Sequence, residues 1–331
     1  MVSKSILVTG GAGYIGSHVV LQLRERGERV VVLDDLSKGF TQAVFDTPLI
    51  VGNVGDRQLV GVLLAEHDVG TVMHFAAHTV VPESVADPLK YYGNNTSCTR
   101  NLLEVCSAHG IKEFVFSSTA AVYGMPDAGV CQEDTPTAPI NPYGVSKLMS
   151  EWMLRDLSAV SDMRHVALRY FNVAGSDPEC RIGQATPRAT LLIKVACEAM
   201  VGKRSEVAIY GTDYPTPDGT GVRDYVHVHD LARAHLMALD YLRDGGKSTV
   251  LNCGYGRGFS VREVLDSVQR IGGKSLRIQE KPRRAGDPGL LIARAERIKR
   301  VLGWQPQLDN LDDIVRTALR WEEKLVRHPW Q

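Results

Sequence analysis

The stretch Asn141-Pro142-Tyr143-Gly144-Val145-Ser146-Lys147 is the part of this sequence best suited to acid–base chemistry. Asn141 is a good N-cap and Pro142 suits the first helical position, so the spacing predicts a helix starting here. Tyr143 and Lys147 then stand i and i+4 on one helical face, a turn apart. A tyrosine titrates near about 10 in water, too high for a base at neutral pH; an ammonium one turn away favours the phenolate. Upstream, an apolar run ends in Ser117-Ser118-Thr119-Ala120-Ala121. Thr119 falls where a hydroxyl can bridge Tyr143 and a substrate hydroxyl. Tyr143 is therefore the candidate base, with Thr119 as its hydroxyl partner and Lys147 as its electrostatic support.

A second group of residues is built for an anion. Thr9-Gly10-Gly11-Ala12-Gly13-Tyr14-Ile15-Gly16 spaces Gly10, Gly13 and Gly16 as G-x-x-G-x-x-G, directly after a predicted strand and opening a helix. Such a turn lets the backbone approach a pyrophosphate and aims a helix N-terminus at its charge. Eighteen residues beyond Gly16, a second strand ends at Asp34. A carboxylate there bonds the adenosine ribose hydroxyls and repels a 2′-phosphate, which favours NAD over NADP. An oxidised nicotinamide would add positive charge beside Tyr143, and Lys147 can bond its ribose. Asn53-Val54 follows a third apolar run, where adenine can lie. Phe75-Ala76-Ala77 ends the next strand with small residues that let a dinucleotide close in.

Stepping outward to the elements, residues 5–9, 29–33, 71–75, 114–118 and 165–169 read as short strands rich in Val, Ile or Phe. Helix-length segments separate them, among them 14–26, 94–109 and 142–160. Alternation of this kind implies βαβ units and a sheet buried on both faces. The expected fold is α/β: a Rossmann-like, doubly wound parallel sheet with a smaller C-terminal α/β substrate domain. The expected boundary lies at 174, with residues 1–174 binding NAD, 175–331 binding substrate, and a return near 222–236 in which residues 225–229 rejoin the main sheet. Turn signals crowd 175–221, and helices are predicted at 261–272 and 311–327.

Composition excludes whole classes of partner. The 331 residues carry 38 Lys+Arg against 38 Asp+Glu, for a formal net charge of zero. That leaves no electrostatic footprint for nucleic acid or an anionic membrane. No apolar run approaches the roughly 18 residues a membrane helix needs. The six cysteines contain no C-x-x-C pair, which speaks for isolated thiols in a reducing cytoplasm. His227-x-His229 lacks a third ligand at suitable spacing, so no metal is expected.

The motifs TGGAGYIGSHVV, YYGNN at 91–95, SSTAAVYG, NPYGVSK, LRYFNVAG at 168–175, YGTDYPTPDGTGVRDYVHVHDL at 210–231 and RRAGDP at 283–288 run almost end to end. On them the chain resembles the extended short-chain dehydrogenase/reductase family, and the segment 210–231 is far more specific than the rest. The resemblance implies NAD contacts at Tyr14, Ile15, Asp34, Asn53, Val54, Phe75, Ala76, Ala77, Asn94, Lys147 and Tyr170. It implies a UDP-hexose at Asn172, Leu191, Leu192, Tyr210, Arg223, Arg284 and Asp287, along with Tyr143 and Thr119. Two arginines facing a diphosphate, and a carboxylate on the uridine ribose, agree with that chemistry. The implied reaction is C4 epimerisation between UDP-glucose and UDP-galactose through a transient 4-keto sugar. UDP-pentose epimerisation, or a non-catalytic dinucleotide-binding regulator, are the alternatives. A dehydratase would need an acid–base pair where this chain has Ala120-Ala121. Met149, Trp152, Met153 and Leu157 form a stripe that reads as core by its period, whereas the resemblance implies a homodimer through this helix. Asn53, Thr79 and Leu191 depart from the family pattern: an amide replaces a carboxylate, a lysine contact is absent, and Leu191 contributes through its backbone.

Overall fold

The computed structural model describes residues 4–126, 128–284 and 287–330. The chain divides into two units. One comprises residues 1–122, 137–169 and 232–251; the other 123–136, 170–231 and 252–331.

The first unit is built on a seven-stranded sheet in the order Thr249–Cys253, Arg164–Tyr170, Glu113–Thr119, Val69–His74, Ser5–Thr9, Val30–Asp34, Leu49–Val51. Ser5–Thr9 runs parallel to both Val30–Asp34 and Val69–His74, and the latter runs parallel to Glu113–Thr119. Ser5–Thr9 and Val30–Asp34 are buried at every position, as continuous β-branched runs covered on both faces must be. Chain order reverses at Ser5–Thr9 and Val69–His74, and ligands of doubly wound sheets collect beyond the carboxyl ends of strands at such a switch. Phe114, Phe116, Leu102, Leu154 and Ala167 pack with Leu7 and Val72 in the core on one side.

Three helices matter for the site. Tyr14–Glu25 begins at Gly13. Pro142–Val160 is capped by Asn141, whose Oδ1 accepts from Gly144 N at 2.9 Å. Its inner face buries Tyr143, Ser146, Lys147, Ser150, Glu151 and Leu154. Residues 88–108 form a helix interrupted by a π-helical stretch, Tyr92–Ser97, that carries Asn94 and Asn95.

In the second unit Val222–His227 pairs with Gly258–Ser260, Leu290–Ala293 and Asn172–Ala174. The expected return of 225–229 to the main sheet is therefore corrected: Thr249–Cys253 is the strand that joins it. The reason lies at Asp224, whose buried carboxylate accepts from the backbone N–H groups of Tyr255, Gly256 and Ala293 and ties its strand into the second sheet. Helix Val261–Gly272 opens with a Ser260/Glu263 capping box and packs with Leu192–Met200 and Leu311–Arg327 around Ile193, Val264, Leu265 and Ile314.

Candidate active site

The glycine turn approaches its neighbours as closely as a backbone can. A Cβ on Gly10, whose φ is +69°, would lie 2.5 Å from Ala76 N, and one on Gly16 would lie 2.3 Å from Gly10 O. Gly10 thus lets two strand ends meet at the sheet's switch point, and Gly16 seats the helix on the turn. Asp34 is buried, its Oδ2 accepting from Ala12 N and its Oδ1 from Leu36 N, both at 2.9 Å. Burial raises its pKa above the usual carboxylate value against those two bonds. Two accepted bonds leave lone pairs for ribose hydroxyls. Asn53 Oδ1 accepts from Gly55 N at 2.7 Å, which leaves the amide donors for a base. Val54 packs into the core, so its backbone is what it offers. Phe75 lies against His235 with ring centroids 4.8 Å apart.

His74, between these groups, is locked neutral. Thr99 Oγ1 donates to Asn95 O at 2.6 Å, so it accepts from His74 Nε2, and Nδ1 accepts from Thr9 Oγ1 at 2.6 Å. Burial and the Lys147 charge push its pKa down to about 3. Asn94 donates to Asn95 Oδ1 at 3.1 Å. Asn95 itself bonds both backbone groups of His78 and the Ser146 hydroxyl, tying the π-helical stretch to the catalytic helix.

Tyr143, Thr119 and Lys147 converge where Glu113–Thr119 ends. Burial pushes the Tyr143 phenol up, and the hydrogen bond from the Thr119 hydroxyl acts to lower it. Lys147 Nζ donates to Ser117 O at 2.8 Å and sits 4.8 Å from the Phe116 ring centroid. Its pKa falls to about 7, because burial outweighs the attraction of Glu151. The expected lowering of the Tyr143 phenol rests on Lys147 together with an oxidised nicotinamide; in the chain alone desolvation dominates. The arrangement is suited to holding a substrate hydroxyl's proton between a phenol and a threonine, with a cation one turn below.

The second unit holds the remaining residues in three sets. Asn172, Leu191 and Leu192 line one cavity with Tyr225, Lys194 and Trp321. The Arg284 guanidinium stacks 3.7 Å from the Tyr210 ring centroid, and its bond lowers the Tyr210 phenol's pKa. Arg223 pairs with Asp287 and donates to Val222 O at 2.9 Å. Leu291 sits beside Arg223 on the neighbouring strand. Ala285 and Gly286, within the RRAGDP motif, lie outside the described residues. Both ring nitrogens of His227 meet protein partners, Thr317 Oγ1 and His229 N, each at 3.0 Å. Among the described residues no cluster of three His, Cys, Asp or Glu side chains suits a metal.

Sequence reasoning missed Tyr225, Asn95 and Glu151. Tyr225 is legible after the fact, since it stands two residues from Arg223 on one strand and so shares its face. Glu151 continues the Tyr143, Lys147 spacing by another four residues. Asn95 carried no signal beyond its neighbour Asn94.

A doubly wound sheet with a glycine turn at its switch point and a buried Tyr–Lys–Thr set defines a dinucleotide-dependent enzyme class acting on hydroxyl groups. Residues 6–254 match the NAD dependent epimerase/dehydratase family. The chain belongs to that family, a branch of the extended short-chain dehydrogenases/reductases. It is 55% identical to the UDP-glucose 4-epimerase of Azospirillum brasilense over 324 residues, covering 98% of this chain and 93% of that protein. It superposes on the Brucella ovis UDP-glucose 4-epimerase in complex with NAD at a TM-score of 0.94, with 40% identity over 97% of this chain and 99% of that one. The Bifidobacterium longum UDP-glucose 4-epimerase in complex with NAD+ and UDP gives 0.92, with 37% identity over 97% and 98%.

Proposed function

We propose that this protein interconverts UDP-glucose and UDP-galactose by epimerisation at C4, with NAD as a retained cofactor. The observation that carries the reading is the buried set Tyr143, Thr119 and Lys147 at the end of one strand and on one helical face. The residues around Gly10, Gly16 and Asp34 fit a dinucleotide, since the backbones meet too closely for any side chain and a buried carboxylate stands at the second strand's end. Bound there, NAD would supply a hydride acceptor and donor for C4 of the sugar.

The chain's own residues handle the proton and the position. Tyr143 takes the proton of the sugar 4-hydroxyl as the alcohol becomes a ketone, and gives it back when the alcohol re-forms. Thr119 shares that proton's hydrogen bond. Lys147 keeps positive charge beside the phenolate that accepts this proton. Asn172, Leu191, Leu192, Tyr210, Arg223, Arg284 and Asp287 bind the UDP moiety. Holding the nucleotide while leaving the hexose free to turn would let either face of C4 be presented to the cofactor. Ala120-Ala121 supplies no acid–base pair for eliminating water, which favours epimerisation over dehydration.

Two further statements belong to this reading. The protein works in the cytoplasm, where six free thiols are at home. It acts as a homodimer through Pro142–Val160, on which Trp152 is 46% exposed. Light scattering at twice the chain mass supports the dimer, and the chain mass alone overturns it.

The deciding assay incubates purified protein with UDP-galactose and no added NAD. UDP-glucose is the expected product. No product, with or without added NAD, alongside turnover of UDP-xylose or UDP-arabinose, would redirect the reading to pentoses. Failure on all of them would leave a dinucleotide-binding regulator.

A further inference from the structure

A group of charged side chains in the second unit takes no part in the chemistry described above. Glu322, on the last helix, is 1% exposed, and its carboxylate meets the ammonium groups of Lys194 and Lys203, the latter at 2.9 Å. Lys194, also buried, stands 3.5 Å from Glu198 one turn further along Leu192–Met200. The other oxygen of Glu198 accepts from Arg204 Nε, and Arg204 Nη2 donates to Ala189 O at 2.9 Å. Stability alone does not call for such pairs, since apolar side chains of similar volume are often as good.

What these bonds hold is the entry to one helix. Arg204 fixes the carbonyl of Ala189, two residues before Leu191, and Glu322 with Glu198 fixes Lys194, two residues after Leu192. Between those anchors Leu191 O accepts from Val195 N at 3.0 Å, and Leu191, as the N-cap, gives the first turn no side-chain bond. The N–H groups that open a helix lack intrahelical partners and favour an anion. Leu191, Leu192, Ile193 and Lys194 all line the cavity that Asn172 lines. A leucine cannot cap as a polar residue does, so the shape of this turn is left to the ion pairs on either side of it.

We propose that Glu322 and Arg204 are positioning residues: through Lys194 and Ala189 they preset the turn at Leu191-Leu192 that receives the UDP moiety. The inference rests on the UDP-sugar reading and extends it to residues outside the binding set. A turn set in advance costs less to order when the ligand arrives. Lys194, Lys203 and Arg204 face two carboxylates, Glu198 and Glu322, so removing a carboxylate adds positive charge. Charge alone would then tighten the binding of anionic UDP, whereas loss of position weakens it. The two accounts differ in sign.

The test is Glu322→Gln, which keeps the shape and removes the charge. Arg204→Met, at a side chain 34% exposed, releases Ala189 O while leaving Glu322 with both lysines, and it covers the case in which the first variant does not fold. Two readouts are taken on the purified protein. Kd for UDP, by calorimetry, is expected to rise roughly five- to tenfold, the effect of having to order one or two more side chains on binding. KM for UDP-galactose is expected to rise alike, while kcat at saturation stays within about twofold. Unchanged or tighter UDP binding in whichever variant folds overturns the proposal, and so does a fall in kcat with KM unmoved. Weaker UDP binding in the variants of a parent that binds UDP but turns over no UDP-galactose keeps the proposal and sinks the C4 reading. A parent that binds no UDP sinks both.

Discussion

Burial pushes the Tyr143 phenol up, and the Thr119 hydroxyl works the other way. For Tyr143 to accept a proton as proposed, positive charge from Lys147 and a bound oxidised nicotinamide has to offset that burial. Tyr143→Phe removes the proton acceptor without altering shape, so turnover should fall by roughly a hundredfold or more with the fold intact, measured by rate and circular dichroism. Asp224 makes a different prediction. Burial raises its pKa to about 6 against three backbone donors. A carboxyl raised above its unfolded value of 3.8 binds more protons when folded, so stability falls as pH rises from 3.8 to about 6 and the cost is complete above that. A shift of this size is worth of order 3 kcal/mol. In urea melts, the stability of Asp224→Asn relative to the parent should therefore rise by about that amount between pH 4 and pH 7. An unchanged difference would mean that the backbone donors, not burial, set this group. Tyr143, Lys147 and the glycine turn could be read from spacing, because four-residue and three-residue intervals have one meaning on a helix and a turn. Glu151 escaped that reading because its worth depends on Arg169, a partner 18 residues away that only strand adjacency supplies.

At the scale of elements, Pro142–Val160 is the part that sets geometry. Gly144 lies next to Tyr143, and a Cβ there would stand 2.6 Å from Ala121 O. Alanine is the better helix former, yet Gly144→Ala would push the helix off the strand end. A misplacement of this kind should lower kcat by roughly tenfold or more with little change in helix content. Gly10→Ala acts on the other wall. Its left-handed backbone and the 2.5 Å approach to Ala76 N leave no space, so nucleotide extracted from the purified variant should drop to background. Nucleotide still present at parental stoichiometry would take Gly10 out of the cradle. The buried strands and the long helices were legible because continuous β-branched runs and capped, periodic stretches have few other uses. Val222–His227 was not, since a strand's pattern reports that it is buried and not which sheet buries it. The π-helical turn at Tyr92–Ser97 has no sequence period of its own to betray it.

Across the whole molecule, the chain passes between its two units five times, at residues 122, 136, 169, 231 and 251. A boundary expected at 174 with a return near 222–236 follows the change in turn content, whereas the chain divides at those five positions. Thr249–Cys253 completes the seven-stranded sheet from far downstream. That late strand also governs how the protein is born. As the nascent chain leaves a ribosome, Arg164–Tyr170 waits as an open edge, its backbone groups unpaired, until about eighty further residues have been made. That edge is therefore covered only in the final third of synthesis.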